Sequence, residues 1–133
     1  MVLGMLGLDQ HEVGARVVAG LLRDGGLEVV YLGKFNTPER LVTVSEEEDA
    51  DLIGVSVHSW EYLEGVPVLM RLLAERSRTT PVVVGGSVIT PEDERTLKAL
   101  GVAAVFGAGA TPESILETVR ALGQAEAARS GGG

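Results

Sequence analysis

The 133-residue chain contains no cysteine. This absence excludes disulfides, thiolate metal ligands and thiol catalysis, and it agrees with a reducing compartment, so we expect a cytoplasmic protein. Only 4% of the residues are aromatic although 45% are hydrophobic, which indicates an aliphatic core. No apolar run approaches the ~18 residues that a membrane span requires. The first residues also lack the basic leader of a signal peptide.

Positive charge is scarce as well. The chain has 11 Lys and Arg against 19 Asp and Glu, which gives a net charge of −8. The phosphate backbone of nucleic acid repels such a surface, so we do not expect nucleic acid as a partner. Histidine is rarer still, with two residues, His11 and His58.

Short apolar segments alternate with longer amphipathic ones along the chain. The pattern predicts strands over 1–7, 27–33, 51–57, 81–86 and 102–107, and helices over 12–26, 38–48, 62–77, 90–101 and 111–124. The strand segments are continuously hydrophobic, which is typical of strands buried on both faces. We therefore predict an α/β fold, a five-stranded doubly wound parallel sheet with the flavodoxin-like (Rossmann-like) strand order 2-1-3-4-5.

Local signals refine this prediction. Thr-Pro pairs at 37–38, 90–91 and 111–112 are typical of an N-cap followed by a first-turn proline. Pro67 predicts that the third helix bends or begins late. Val13, Val17, Val18, Leu21 and Leu22 form the apolar stripe predicted for the first helix. We expect one domain over 1–124 and a disordered tail over 125–133, where the residues are small and polar.

In such a sheet, ligands bind outside the carboxyl ends of the strands. The loops predicted at that edge are 8–14, 34–38, 56–62, 85–91 and 107–112, and they contain both histidines and Trp60. A phosphate-accepting receiver domain needs an aspartate after strand 3 and a lysine after strand 5, and neither is present. A flavodoxin needs a hydroxyl-rich first loop, whereas 8–14 has no Ser or Thr.

His11 stands in the spacing Asp9-x-His11-x-x-Gly14. In one interpretation Asp9 is the N-cap of a helix and His11 is an ordinary residue at the start of that helix. In the other, His11 ligates a metal while a carboxylate holds its second ring nitrogen. One histidine without cysteine does not make a protein-only zinc site. A ligand role for His11 therefore requires a macrocycle that supplies the other ligands.

Glycines accumulate at the same edge. Each allows an ordinary structural role or the close approach of a bulky group, and together they indicate a long slender ligand. They are Gly14, Gly85, Gly86, Gly107 and Gly109. Ser56, at the end of strand 3, either caps or bonds a heterocycle nitrogen.

The pattern Asp9-x-His11-x-x-Gly14, followed by Ser56 and Gly85-Gly86, resembles the signature D-x-H-x-x-G … S-x-L … G-G of cobalamin (B12)-binding domains. The resemblance extends over nearly the whole chain, to the small subunits or C-terminal domains of methylmalonyl-CoA mutase-type enzymes. The first residues also resemble the small subunit of glutamate mutase. Two positions depart from the pattern: His58 replaces the leucine, and Met5 stands where acyl-CoA mutases often have lysine. These departures leave the substrate open.

The resemblance implies roles for individual residues. His11 would be the lower axial ligand of cobalt in place of the cofactor's dimethylbenzimidazole, with Asp9 bonded to its other nitrogen. The nucleotide tail would run past the glycines, and His58 would contact the corrin, contact a partner or lie in solvent. The implied cofactor-binding positions are Asp9, Gln10, His11, Glu12, Val13, Gly14, Ser56, His58, Gly85, Gly86, Ser87, Phe106, Gly107, Gly109 and Thr111.

The resemblance also implies a function. The chain would be the cobalamin-binding small subunit of an adenosylcobalamin-dependent carbon-skeleton mutase, without catalytic residues of its own and inactive alone. A partner (β/α)8-barrel large subunit, in a heterodimer or heterotetramer, would host the radical 1,2-rearrangement. Trp60 would anchor that partner or pack on its own third helix.

Two alternatives remain, a corrinoid methyl carrier and a non-catalytic B12 carrier or sensor. Methyl carriers usually have a preceding helical cap, for which the eight residues before Asp9 leave no room. The form of the cofactor, adenosyl or methyl, stays open.

Overall fold

The computed structural model describes residues 1–6, 12–57, 62–107 and 109–131, in which parallel strands and helices alternate. The strand order β2-β1-β3-β4-β5 confirms the predicted α/β fold. The elements are β1 (Val2–Leu6), α1 (Glu12–Asp24), β2 (Val30–Asn36), α2 (Pro38–Glu47), β3 (Ile53–Ser56), α3 (Tyr62–Glu75), β4 (Val82–Gly85), α4 (Pro91–Ala99), β5 (Ala104–Phe106) and α5 (Pro112–Gly131).

Two apolar clusters hold helices on opposite faces of the sheet. The larger one joins the sheet to α2, α3 and α4 through Leu41, Val66 and Leu97, all essentially inaccessible to solvent. The smaller one joins it to α1 and α5 through Leu22 and Val119. Burial of each such side chain contributes roughly 1.5–3 kcal/mol, so the larger cluster supplies most of the stability. The thinner side, under α1 and α5, is the side with space for a ligand.

Three threonines begin helices as the sequence predicts. Thr37 Oγ1 accepts a hydrogen bond from the Arg40 amide (3.1 Å) and Thr90 Oγ1 one from the Asp93 amide (3.1 Å). Thr111 Oγ1 accepts one from the Ser114 amide at the same distance, 3.1 Å. A proline follows each threonine at a position where its missing N–H is not needed. These caps fix where α2, α4 and α5 leave the sheet edge.

Helices α1 and α3 each differ from the sequence pattern at one point. Val17 is 66% exposed, whereas Leu22 is buried and Val18 packs against the smaller cluster, so Val17 departs from the predicted apolar stripe and the buried Ala19 joins it. The small Ala19 side chain adds little to a hydrophobicity pattern, which is why the pattern missed it. α3 begins at Tyr62, so a late start at Pro67 is wrong, while a bend at the proline stays a prediction.

The carboxyl-terminal segment also differs from expectation. The sequence predicts disorder over 125–133, but α5 continues to Gly131. Its alanines and charged residues are strong helix formers. Glu126 is only 5% exposed and accepts a hydrogen bond from Thr79 Oγ1 (3.0 Å), which anchors the segment to the loop before β4. Within the described ranges, no helix has both the length and the apolarity to cross a bilayer.

Candidate functional site

The carboxyl ends of β3, β4 and β5 bring three of the predicted site residues side by side. Ser56 is paired with Gly85, and Gly85 with Phe106. The ladder continues past the strands, because the Val57 amide donates to the Gly85 carbonyl (2.8 Å) and the Gly86 amide to the Phe106 carbonyl (2.9 Å). The edge predicted as a ligand site is therefore a hydrogen-bonded, rigid part of the sheet.

A cavity of about 240 Å³ opens beneath this edge, between the sheet and helices α1 and α5. Its lining is mostly aliphatic, and Ser56 and Ser87 contribute its polar side chains. Six predicted site residues take part: Ser56, Gly85, Gly86, Ser87, Phe106 and Gly107. The full lining is Met1, Leu3, Val18, Leu22, Gly54, Val55, Ser56, Val83, Gly85, Gly86, Ser87, Phe106, Gly107, Ala110, Ile115 and Val119.

Gly85 and Gly86, which both line the cavity, differ in whether the backbone has room for a side chain. A Cβ on Gly85 would have nothing nearer than the Cβ of Phe106 at 3.6 Å, an ordinary contact, so Gly85 keeps the cavity open without being required by the fold. A Cβ on Gly86 would stand 1.7 Å from the Val57 carbonyl oxygen, so the backbone itself demands glycine there. Of the two roles that the sequence leaves open for each glycine, the structural one thus applies to Gly86, and contact with a ligand stays a prediction for both.

Gly54 lies in the middle of β3, on the floor of the cavity, and the sequence reading did not single it out. A Cβ there would stand 2.6 Å from Met1 Cε and 2.8 Å from Leu3 Cδ1. An isolated glycine inside a strand is a known signal of close approach, which could have identified it. The aliphatic lining from β1, α1 and α5 had no such signal, because it reads as ordinary core.

The loop after β5 borders the cavity on its outer side. Gly109 has open space where a Cβ would be, and a Cβ on Gly107 would be 3.6 Å from the Ile89 carbonyl. Phe106 is half-buried and packs against the α1 and α5 cluster, so its ring belongs to the cavity wall. The hydroxyl of Thr111 caps α5, and its predicted contact with the cofactor stays a prediction.

Charge is absent from the described lining. No lining side chain is ionisable, and no three metal-ligating side chains cluster within the described part of the chain. Met1, which lines the cavity, carries the terminal amino group, whose pKa is lowered by burial, an effect partly opposed by Asp51 and Glu28. The described lining thus suits an apolar group.

Several predicted positions lie outside the described residues, namely Asp9, Gln10, His11, His58 and Trp60. The segments that contain them follow neighbouring strands of the sheet, β1 and β3. Glu12, Val13 and Gly14 form the beginning of α1. Their roles at a cofactor stay predictions.

Comparison with known proteins gives consistent results. A model of the B12 binding domain family matches residues 1–117. The small subunit of 2-hydroxyisobutanoyl-CoA mutase from Aquincola tertiaricarbonis is 38% identical over 129 residues, which cover 97% of this chain and 95% of that subunit. The small subunit of pivalyl-CoA mutase from Xanthobacter autotrophicus is 41% identical over 119 residues, covering 90% of this chain and 80% of that subunit.

Among solved structures, a cobalamin-binding protein from Desulfitobacterium hafniense has a TM-score of 0.76 at 20% identity, over 91% of this chain and 57% of that longer one. Signal receiver domains share the fold as well. At such identities the structural likeness establishes the fold alone.

Proposed function

The chain belongs to the B12 binding domain family, and from this premise we propose that it is the cobalamin-binding small subunit of an adenosylcobalamin-dependent acyl-CoA mutase. The two relatives described above match nearly the whole chain and are both small subunits of acyl-CoA mutases. Because those relatives rearrange branched acyl groups by name, we propose an acyl-CoA thioester as the substrate class.

The observation that carries the proposal is the apolar cavity under the sheet edge. Cobalamin ends in a nucleotide tail whose base, dimethylbenzimidazole, is a flat apolar bicycle. The cavity has an aliphatic lining, a floor at Gly54 and an open wall at Gly85, where side chains would otherwise intrude. A preformed apolar cavity with few polar groups is the usual form of a small-molecule site. The residues present therefore fit the base of the cofactor.

A base held in this cavity cannot also coordinate cobalt, so we propose that His11 takes that place. His11 belongs to the segment that follows β1, next to β3 in the sheet. Asp9 would accept a hydrogen bond from the second ring nitrogen of His11, which fixes the tautomer and strengthens the ligand. When bound, adenosylcobalamin supplies a weak cobalt–carbon bond whose homolysis starts the radical 1,2-rearrangement. The role of this chain would be to bind and orient the cofactor.

The remaining parts of an active enzyme would come from a partner. The described lining has no ionisable side chain, so substrate recognition and proton handling fall to a large subunit, for which we propose a (β/α)8 barrel. A heterodimer or heterotetramer and a cytoplasmic location stay predictions. His58 and Trp60 are the residues we propose to face the corrin and the partner.

Binding of cobalamin and of cobinamide, which lacks the nucleotide tail, tests the proposal directly. Burying an aromatic ring system of about 150 Å² contributes ~4 kcal/mol, which corresponds to roughly 500-fold in affinity. We expect calorimetry to show cobalamin bound tighter by about that factor. Equal affinities for the two corrinoids would contradict the placement of the nucleotide tail in this cavity. Mutase activity of the isolated chain would contradict the requirement for a partner subunit.

A further inference from the structure

Asn36, at the end of β2, is a buried amide with three hydrogen-bond partners. It is 1% exposed. Its Nδ2 donates to the Met5 carbonyl (3.0 Å) and to the Gly33 carbonyl (2.8 Å), and its Oδ1 accepts from Arg40 Nε (3.0 Å). An arginine side chain only donates hydrogen bonds. Arg40 therefore requires the oxygen of the amide on its side, which leaves Nδ2 facing the two carbonyls.

The bond to Met5 lies where the backbone ladder of β1 becomes weak. On the β3 side, pairing ends at Gly4 with Val55. On the β2 side, pairing reaches Leu6 with Asn36, but its register shifts between Leu3 and Gly4 and again between Gly4 and Leu6. Gly33 contributes to this irregularity with a φ of 67°. The last residues of β1 thus depend on the Asn36 side chain as well as on the ladder.

Gly4 leaves the space that this amide occupies. A Cβ on Gly4 would stand 2.9 Å from Asn36 Nδ2 and 3.1 Å from Leu41 Cδ2. A buried amide costs stability unless its hydrogen bonds are satisfied, so an apolar residue would serve a simple core better. Glycine, amide and guanidinium together form an arrangement that directs the amide nitrogen at two carbonyls, of which that of Met5 lies on β1 and that of Gly33 on β2.

We infer that Asn36, oriented by Arg40, is a positioning residue for the segment that follows β1 and thereby for His11 as the lower ligand of cobalt. The inference rests on the proposed function for the role of His11. Its physical basis is the continuity of the backbone. Asn36 holds the Met5 carbonyl, and Leu6 follows as the last residue of β1. The segment that contains Asp9 and His11 begins directly after Leu6. Outer partners of a metal ligand set its orientation and basicity in the same way.

Two variants and one control separate positioning from general stability. Asn36→Asp keeps the shape but replaces both donors with a carboxylate oxygen that faces two carbonyls. Arg40→Met changes an exposed residue and removes the hydrogen-bond donor that orients the Asn36 amide. Ser45→Ala is the control, because it removes another buried side-chain hydrogen bond, to the Val42 carbonyl (2.7 Å), within α2.

The first measurement uses the cofactor-free protein. Amide hydrogen exchange by NMR should become about tenfold faster from Gly4 to His11 in Asn36→Asp, as expected for one lost hydrogen bond. Arg40→Met should show a smaller increase, and Ser45→Ala none in this segment. Unchanged exchange in both test variants would overturn the inference without touching the proposed function.

The second measurement follows the cobalt ligand. Cob(II)alamin is bound to protein that carries nitrogen-15-labelled histidine. Electron paramagnetic resonance should then show a smaller histidine-coordinated fraction in Asn36→Asp than in the wild-type protein. The affinity for cobalamin should also be lower by roughly 10-fold. Full coordination in a folded Asn36→Asp protein would overturn the inference. If Asn36→Asp does not fold, Arg40→Met decides by the same criterion. If the wild-type protein lacks the histidine signal, the assignment of His11 fails in both proposals, and the exchange data still decide whether Asn36 holds β1.

Discussion

The Val57 carbonyl oxygen lies 1.7 Å from the position that a Cβ on Gly86 would occupy. Next to it, a Cβ on Gly85 would reach only the ordinary contact distance of 3.6 Å to Phe106. Both glycines border the same cavity. One is therefore required by the backbone, while the other is free to serve a ligand, and this difference makes the cavity testable.

Gly85→Val should weaken cobalamin binding by at least about tenfold, because its methyl groups enter the cavity and displace part of an aromatic base. Binding of cobinamide, which has no base to place there, should change little. Calorimetric titration of both corrinoids measures the difference. Equal losses for the two ligands would mean that Gly85 contacts the corrin and that the base lies elsewhere.

Gly86→Ala should instead destabilise the fold by about 1–3 kcal/mol or more, as overpacking against immobile atoms does. The physical reason is the Val57 carbonyl, which is part of the backbone and cannot rotate away. Urea unfolding followed by circular dichroism checks this, with Gly109→Ala as the matched control because its Cβ would have open space. Equal midpoints for the two variants would refute the assignment.

His11→Ala should abolish the histidine nitrogen coupling in the electron paramagnetic resonance spectrum of bound cob(II)alamin. Asp9→Ala should retain coupling but weaken affinity roughly 10–100-fold, the usual loss when a ligand's hydrogen-bond partner is removed. Coupling that survives in His11→Ala would identify another nitrogen as the ligand. His58→Ala is the matched control, since the chain has no third histidine.

Trp60→Ala should weaken association with the large subunit while cobalamin binding survives, because tryptophan is enriched among interface hot spots. Leu63, 40% exposed at the start of α3, follows Trp60 by three positions in the chain and should show a smaller effect. Leu100, 39% exposed after α4 at the opposite edge, is the control. Loss of cobalamin binding in Trp60→Ala, with association intact, would assign Trp60 to the cofactor instead.

Deletion of residues 125–133 should lower the free energy of unfolding by about 1–2 kcal/mol, since it removes helix and the buried bond between Glu126 and Thr79. Thr79→Val isolates that bond and should account for about half of the loss. Denaturant unfolding measures both proteins. A truncated chain as stable as the full one would support the disordered tail that the sequence predicts.

Local chemistry made much of the fold predictable from the amino-acid sequence. Continuous apolar segments gave the parallel sheet, and the threonine–proline pairs at 37–38, 90–91 and 111–112 gave three helix starts, because caps depend on residues three positions apart. The edge at which we place the ligand followed from the chain order alone. The resemblance to cobalamin-binding domains started from a short motif and extended over nearly the whole chain, so family membership was also accessible without a structure.

Only the tertiary structure decided what each residue does at that edge. Gly85 and Gly86 are adjacent and chemically identical, and their roles diverge because Val57, directly after β3, lies against one of them. Asn36 reads as a loop residue, and only the pairing of β1 with β2 places its amide under the Met5 carbonyl. Such contacts join residues far apart in the chain through the register of the sheet, and neither composition nor periodicity contains that register.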